Sequence, residues 1–183
     1  MELFTAIRQS ASTSPHRVLR NTDAYVAKYV PVGHRIANSN EIEARRIARE
    51  LKIPTAEAIA TAAPEMAALI DGPCWLVPVP ASSGSLAANL ALARAIAGFV
   101  VGARVICAVG RAHPVESSRT RCMRGLSRLS LEEHAIIRTA APIRLLPVYF
   151  VDNVITTGAT IAACRRAVGW GTGLAYADAS TAD

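Results

Sequence analysis

An aspartate followed closely by a small, hydroxylated turn is the feature of this sequence that most directly suggests chemistry. In the stretch VYFVDNVITTGAT, Asp152 follows an apolar run and residues 156–160 form the turn. Such a turn can direct several backbone N–H groups and hydroxyls into one concavity at the start of a helix, where the helix dipole also favours an anion. An ionised carboxylate accepts hydrogen bonds from neighbouring sugar hydroxyls. The two features together predict a ribose 5-phosphate site.

A second turn of small residues follows another apolar run. The run CWLVPVP, residues 74–80, contains prolines that are unfavourable inside a central strand, so the strand is expected to end near Val79. In a parallel sheet, ligands gather beyond the carboxyl ends of the strands. The sequence therefore predicts a second anion-binding turn, which consists of Ala81, Ser82, Ser83 and Gly84.

Strands and helices are expected to alternate from residue 73 onward. Short apolar runs predict strands at residues 74–79, 103–109, 148–151 and 173–177. Apolar residues at helical spacing predict helices at 86–97 and 161–168. This alternation predicts an α/β fold in which a parallel sheet is covered by helices on both faces.

The N-terminal part of the chain has a different pattern. Residues 1–72 are expected to form a mainly helical, peripheral segment and residues 73–183 the core. Asn40 and Glu43 resemble a capping box, which predicts a helix start. A second helical stretch follows, broken or restarted at Pro64.

Arginine dominates the positive charge of the chain. The net charge is +6, and Lys28 and Lys52 are the only lysines. Residues 111–128 contain five arginines and one glutamate, which gives this basic segment a net charge of +4. No sustained apolar period runs through it, so a long loop is predicted. The planar arginine fork suits phosphate oxygens, although a GC-rich genome explains the composition equally well.

Composition excludes several classes of protein. The four cysteines are far apart and form no C-x-x-C pair, so neither a zinc ribbon nor a disulfide framework is expected, and the thiols should be reduced and mostly buried. The sequence shows no signal peptide and no apolar run of the roughly 18 residues that a membrane span needs. A cytoplasmic protein without a membrane partner is therefore expected.

The stretch VYFVDNVITTGAT resembles the binding signature for phosphoribosyl pyrophosphate (PRPP) of the type I phosphoribosyltransferases. That signature is an apolar strand, two consecutive acids, two apolar residues and then Thr-Thr-Gly-x-Thr. The order of predicted elements from Cys74 to Ala177 is also similar to the family's core. Among its subgroups, the chain is most similar to the competence-associated (ComF-like) group, without that group's N-terminal zinc-binding cysteines. The resemblance implies a parallel sheet flanked by helices, with an N-terminal helical hood that selects the acceptor.

The resemblance also implies a role for each part of the site. The ribose would be bound by Asp152 and Asn153. Pyrophosphate would meet the turn at residues 81–84, and the basic segment would close over the substrate. The 5-phosphate would be held by Thr156, Thr157, Gly158, Ala159 and Thr160.

Catalysis would depend on charge, because breaking the bond between ribose C1 and pyrophosphate leaves negative charge on the leaving group. Cationic donors near that charge stabilise the transition state. Arg119, Arg121 and Arg124 are the predicted catalytic residues, since they lie in the middle of the basic segment. Magnesium is the implied cofactor, without direct protein ligands, and a homodimer is frequent in the family.

Two positions depart from the family pattern. Asn153 stands where the family has a second acid, which removes one charge from the ribose and magnesium site. Thr156 stands where the hypoxanthine-guanine enzymes have a carboxylate that acts on the purine ring. That base is absent here, and the acceptor stays open.

Three functions fit these observations. The first is magnesium-dependent transfer of phosphoribose between PRPP and a nitrogenous base or nucleotide. The second is a non-catalytic regulator that senses PRPP, which Asn153 favours. The third is nucleic-acid binding through the basic segment, against which stands its lack of interleaved aromatic residues. His113 and His134, which flank that segment, are expected to be surface or helix-capping residues.

Overall fold

The fold is seen in a computed structural model that describes residues 23–31, 36–142 and 145–179, apart from the side chains of Ser118 and Arg119. The strands in these residues are β1 (Ala24–Lys28), β2 (Trp75–Pro78), β3 (Arg104–Val105), β4 (Val109–Arg111), β5 (Ile136–Arg138), β6 (Val148–Ile155) and β7 (Thr172–Asp178). The helices are α1 (Ser39–Glu50), α2 (Ala56–Ala67), α3 (Ala87–Ala97), α4 (Ser118–Met123) and α5 (Ala159–Val168).

Five of the strands form one parallel sheet in the order β1-β7-β6-β2-β3. Helices α1, α2 and α3 pack on one side of it and α5 packs on the other. The predicted α/β fold with a helix-covered parallel sheet is therefore confirmed. No helix among the described residues is long and apolar enough to cross a membrane.

The register between β2 and β6 places the end of β2 beside Asp152 in β6. Pro78 in β2 pairs with Val151 in β6, and the N–H of Val79 donates to the carbonyl oxygen of Val151 at 3.0 Å. Because the two strands are parallel, both chains leave the sheet at the same edge. The turn after β2 consequently begins beside Asp152.

Two apolar clusters fill the space on either side of the sheet. Successive residues of a strand point to opposite faces, so neighbours such as Phe150 and Val151 contribute to different clusters. Both side chains are fully buried. This explains why the central strands are apolar at consecutive positions, since a parallel sheet is covered on both faces.

The predicted strand at residues 103–109 is divided in two. Its first part, β3, pairs with β2, while Val109 begins β4, which forms an antiparallel ribbon with β5 outside the main sheet. Val105 packs against one apolar cluster and Val109 lies in the other. Because both parts are apolar, the sequence gives no sign of the break between them.

Helix α1 begins two residues earlier than its predicted capping box. The N-cap is Asn38, whose side chain accepts from the N–H of Glu41 at 2.9 Å, while the Glu41 carboxylate accepts from the N–H of Asn38 at 3.0 Å. Glu43, the residue predicted for this role, instead accepts from Arg46 at 2.7 Å. The sequence holds two Asn-x-x-Glu patterns offset by two positions, and only one can lie at the helix start.

The N-terminal segment also contributes to the sheet and its core. β1 is an edge strand paired with β7, and α2 buries Ala62 and Met66 completely. Helix α2 continues through Pro64, where a break or restart was predicted.

Two of the cysteines, Cys74 and Cys164, are buried as expected, whereas Cys107 and Cys122 are exposed; all four are free thiols.

A partly buried ion pair ties the start of β1 to β7 and α5. The Asp23 carboxylate accepts from Arg165 Nη2 at 2.6 Å and from the N–H of Gly173 at 2.8 Å. A Cβ atom at residue 173 would approach the Asp23 carboxyl to 2.9 Å, so this contact requires glycine there.

We expect Asp23→Ala to lower the free energy of unfolding by about 1–3 kcal/mol, because it leaves Arg165 and the N–H of Gly173 without this acceptor. Urea denaturation monitored by circular dichroism measures the change. The control is Glu43→Ala, whose partner Arg46 is exposed to water, and it should leave the midpoint nearly unchanged. Equal midpoints for Asp23→Ala and the native protein would contradict the expected role of this pair.

Candidate active site

The small hydroxylated turn lies open at the surface, between the end of β6 and the start of α5. Thr156 and Thr157 are exposed, and residues 158–160 are half-buried. Gly158 adopts a left-handed conformation (φ 75°), although a Cβ atom there would meet nothing within 4 Å. Conformation rather than crowding therefore favours glycine at this position. The N–H of Ala159 donates to the hydroxyl of Thr157 at 3.3 Å, and the first N–H groups of α5 lie at this turn, where a helix start favours an anion.

Asp152 lies inside β6, three residues before its end, and not beyond the strand as the sequence suggested. Its Oδ1 atom accepts from the N–H of Asn153 at 2.8 Å and from Asn89 Nδ2 at 3.1 Å. Its Oδ2 atom has no hydrogen-bond partner within the described parts of the chain. Burial raises the pKa of Asp152 to about 6, against the opposing effect of these hydrogen bonds and of the charges of Lys52 and Arg111.

Asn153 points away from Asp152. Neighbouring residues of a strand face opposite sides, and Asn153 Nδ2 donates to the carbonyl oxygen of Ala48 in α1 at 3.0 Å. The structure therefore gives these two residues, both predicted to bind ribose, different surroundings. Asn153 fastens α1 to the central strand.

The predicted pyrophosphate turn lies directly after β2. The N–H of Ala81 donates to the carbonyl of Ser85, and the N–H of Gly84 donates to the carbonyl of Ala81, both at 2.9 Å. Gly84 has a positive φ of 90°, and Ser83 is exposed. The carbonyl of Ser82 accepts from the N–H of Val115 at 2.8 Å, so the beginning of the basic segment lies against this turn.

Arg111, at the end of β4, joins the pyrophosphate turn to the rest of the site. Its Nε atom donates to the carbonyl of Ala81 at 2.7 Å, and its Nη1 atom donates to the carbonyl of His134. Burial lowers the pKa of Arg111, which the charge of Asp152 opposes. Arg111 is thus a partly buried cation close to both the turn and the carboxylate. The sequence analysis placed Arg111 at the start of the basic segment and did not single it out.

The three predicted catalytic arginines are placed differently. Arg121 Nε donates to the carbonyl of Ser127 at 2.8 Å, and Arg121 Nη1 lies 3.9 Å from Glu116. Arg124 donates to Glu116 at 2.8 Å and is 65% exposed. The side chain of Arg119 lies outside the described residues. Arg121 and Arg124 therefore contact the basic segment itself, whereas Lys52 and Arg111 are the cations that lower the pKa of Asp152.

His134 is buried in a turn, whereas it was predicted to be a surface or helix-capping residue. It is 4% exposed, and its Nδ1 atom lies 3.5 Å from the hydroxyl of Thr160 in α5. Burial and then the charge of Arg111 lower its pKa, so the ring is neutral at pH 7. Ser130 and Glu133 form the reciprocal hydrogen bonds of a capping box, but the residues that follow form a turn and not a helix.

A groove of about 580 Å³ lies on the outer side of α1, apart from these residues. None of its lining residues belongs to the candidate site, since they are Ile42, Arg45, Arg46, Arg49, Glu50 and Ile53. Among the described residues, no group of three or more His, Cys, Asp or Glu side chains is arranged to hold a metal ion.

Comparisons of the chain with known protein families, curated proteins and solved structures found no match. The observations that bear on function are the sequence motif of residues 148–160 and the geometry around Asp152. That geometry combines one carboxylate, one partly buried arginine and two surface turns at a single edge of the sheet.

The raised pKa of Asp152 predicts a dependence of stability on pH. The folded protein holds this proton more tightly than the unfolded chain, where the ordinary value is 3.8. The contribution of Asp152 therefore favours folding at acid pH and is lost as pH rises from about 3.8 to about 6.

We expect Asp152→Asn to be more stable than the native protein by about 1–3 kcal/mol at pH 8 and to differ little at pH 4. Urea denaturation at both pH values measures the difference. Glu57→Gln, which changes an exposed carboxylate in α2, is the control and should show no such dependence. A constant difference between Asp152→Asn and the native protein would contradict the raised pKa.

Proposed function

We propose that this chain catalyses the transfer of phosphoribose between PRPP and a nitrogenous base or nucleotide, on a type I phosphoribosyltransferase-like fold. The observation that carries the proposal is the succession of Asp152, an open Thr-Thr-Gly turn and a helix start at the carboxyl end of the central strand. A carboxylate suited to ribose hydroxyls and a turn suited to a phosphate thereby follow one another within residues 152–160.

The second turn and Arg111 support pyrophosphate as the leaving group. In the reaction, the bond between ribose C1 and the pyrophosphate oxygen breaks while a bond from C1 to the acceptor nitrogen forms. The sugar carries positive charge in the transition state, and negative charge grows on pyrophosphate. Arg111 is held by two backbone carbonyls, so its remaining guanidinium N–H groups are oriented beside the turn at residues 81–84. A fixed cation at that position stabilises the growing charge without reorganisation.

Asp152 acts as the acceptor for the ribose hydroxyls through Oδ2, since Oδ1 is occupied by the two N–H donors. Ionised Asp152 close to C1 also favours positive charge on the sugar. With its pKa at about 6, the carboxylate is mostly ionised at neutral pH. Substrate affinity should accordingly fall below pH 6.

Magnesium fits this site as an ion carried by the substrate. It prefers oxygen ligands and usually keeps several waters, so pyrophosphate oxygens and water would complete its coordination without a protein cage. Bound there, it would supply positive charge to the leaving group. The protein residues nearest to the pyrophosphate would be those of the turn at residues 81–84.

A PRPP sensor is the second candidate, because the amide of Asn153 is used to hold α1 and the site contains a single carboxylate at this strand end. A nucleic-acid function is less well supported. Glu116 lies close to Arg121 and Arg124, which reduces the free positive charge of the basic segment.

We expect PRPP with magnesium to bind the native protein, and Asp152→Ala to bind it at least tenfold more weakly, equivalent to about 1.4 kcal/mol. Isothermal titration calorimetry with and without magnesium measures both affinities. Glu57→Ala is the control for loss of an exposed carboxylate and should bind like the native protein. Equal affinity of Asp152→Ala and native protein would remove Asp152 from the site. Release of pyrophosphate in the presence of candidate bases then distinguishes the transferase from the sensor.

The two arginine positions predict different effects on pyrophosphate binding. Arg111→Ala should weaken the affinity for magnesium pyrophosphate by about tenfold or more, since a charge-assisted contact is lost. Arg124→Ala, which removes an exposed arginine paired with Glu116, should change it less than about twofold. Calorimetry gives both values, and thermal unfolding checks that Arg111→Ala is folded. A larger loss in Arg124→Ala than in folded Arg111→Ala would show that Arg124, and not Arg111, binds pyrophosphate.

A further inference from the structure

A buried amide group connects the two halves of the candidate site. Asn89 lies in the first turn of α3 and is 7% exposed. Its Nδ2 atom donates to the carbonyl of Val79 at 2.8 Å and to Asp152 Oδ1 at 3.1 Å. An amide nitrogen carries two hydrogens, so these two bonds use both of them.

The two acceptors belong to different parts of the site. Val79 is the last residue before Pro80 and the pyrophosphate turn, whereas Asp152 is the proposed ribose ligand. Asn89 therefore fixes the distance between the chain at the end of β2 and the carboxylate on β6. A polar residue is otherwise unfavourable here, because α3 packs its neighbours Leu92, Ala93 and Ile96 into the apolar core.

We propose that Asn89 is a positioning residue that orients the Asp152 carboxylate toward the ribose hydroxyls and keeps it ionised at neutral pH. This inference rests on the proposed function for its ligand, but its effect on Asp152 is independent of any ligand. Held on Oδ1 by Asn89 and by its own neighbouring N–H, the carboxylate presents Oδ2 to the substrate.

The cations around Asp152 lower its pKa, as the hydrogen bond from Asn89 does. Lys52, after α1, and Arg111, at the end of β4, are cations that lower the pKa of Asp152, while burial raises it. The thiol of Cys164 in α5 is neutral at physiological pH, since burial raises its pKa to about 12. The hydrogen bond from Asn89 is thus one of few contacts that offset the cost of burying this carboxylate.

Asn153 provides a matched control. Like Asn89, it donates from Nδ2 to a backbone carbonyl, that of Ala48, but its side-chain amide does not contact the Asp152 carboxylate. Asn89→Leu and Asn153→Leu therefore each remove one amide-to-carbonyl bond. Only Asn89→Leu also removes a donor from Asp152.

The first measurement uses no ligand. The contribution of Asp152 to the free energy of unfolding should fall as pH rises from about 3.8 to about 6. It is measured as the difference between a protein and the same protein carrying Asp152→Asn, so that the contributions of the other carboxyl groups cancel. In Asn89→Leu the upper end of this window should move upward by about one pH unit, the size expected for a lost hydrogen bond to a charged group. Asn153→Leu should keep the native upper end. An unchanged window in Asn89→Leu would overturn the inference.

The second measurement uses ribose 5-phosphate as the probe. Its dissociation constant, measured by calorimetry from pH 5 to pH 8.5, should rise at acid pH. The phosphate of the probe also titrates, with a second pKa of about 6, but it does so for every variant. The midpoint of Asp152 is therefore read from the ratio of dissociation constants between each protein and its Asp152→Asn variant, and should be about 6 for the native protein. The midpoint should move upward by about one unit in Asn89→Leu and stay in place in Asn153→Leu. If native protein fails to bind ribose 5-phosphate while the unfolding window still shifts, the proposed function is wrong and only the effect of Asn89 on Asp152 stands.

A second variant keeps the test decisive if Asn89→Leu does not fold. Asn89→Asp is nearly isosteric, and when protonated its carboxyl can still donate one hydrogen bond. When both carboxyls ionise they repel each other, so the second macroscopic pKa of the pair should lie above the midpoint of Asn89→Leu. A native midpoint in folded Asn89→Asp would also overturn the inference.

Discussion

The parallel pairing of β2 with β6 is the constraint on which the candidate site depends. Because Pro78 pairs with Val151, β2 ends beside Asp152 while β6 continues to Ile155, and the two surface turns follow at the same edge of the sheet. Both strands are buried on both faces, which fixes this register strongly. A shift of β6 by one residue would place the Asp152 carboxyl where Val151 now lies, inside an apolar cluster, at a large desolvation cost.

Asp152 is the position at which folding and the proposed function make opposite demands. A carboxylate that is withdrawn from water is destabilised, and its raised pKa is the measure of that cost. The same low-dielectric surroundings make an ionised carboxylate a stronger partner for sugar hydroxyls and for developing positive charge. The structure offsets the cost with Asn89, the N–H of Asn153, and the charges of Lys52 and Arg111. Such local conflicts are expected at functional sites.

The basic segment shows that the net charge of a region does not identify its active cation. Arg121 and Arg124 lie close to Glu116, and to reach a substrate they would have to leave that carboxylate. Arg111 lies on the β4–β5 ribbon, which packs against α5. Its side chain is already oriented by the carbonyls of Ala81 and His134. Arg111 is fixed by contacts with Ala81 and His134, and so requires less ordering when a charged ligand arrives than Arg121 and Arg124, which first have to leave Glu116.

The sequence alone determined the α/β class, the parallel sheet, the approximate limits of most predicted helices and the turn at residues 156–160. It could do so because apolar periodicity and glycine positions are local properties of the chain. It did not determine that residues 103–109 divide between two sheets, nor that Asn153 turns toward α1. It also did not determine the contacts of Arg111 and Asn89 or the burial of His134. Asn89 is nevertheless conspicuous as a polar residue in an apolar helix. Those residues meet Asp152 or its turns only through contacts between distant parts of the chain. Tertiary structure decided them, because hydrogen bonds and desolvation depend on which groups become neighbours and not on their order in the sequence.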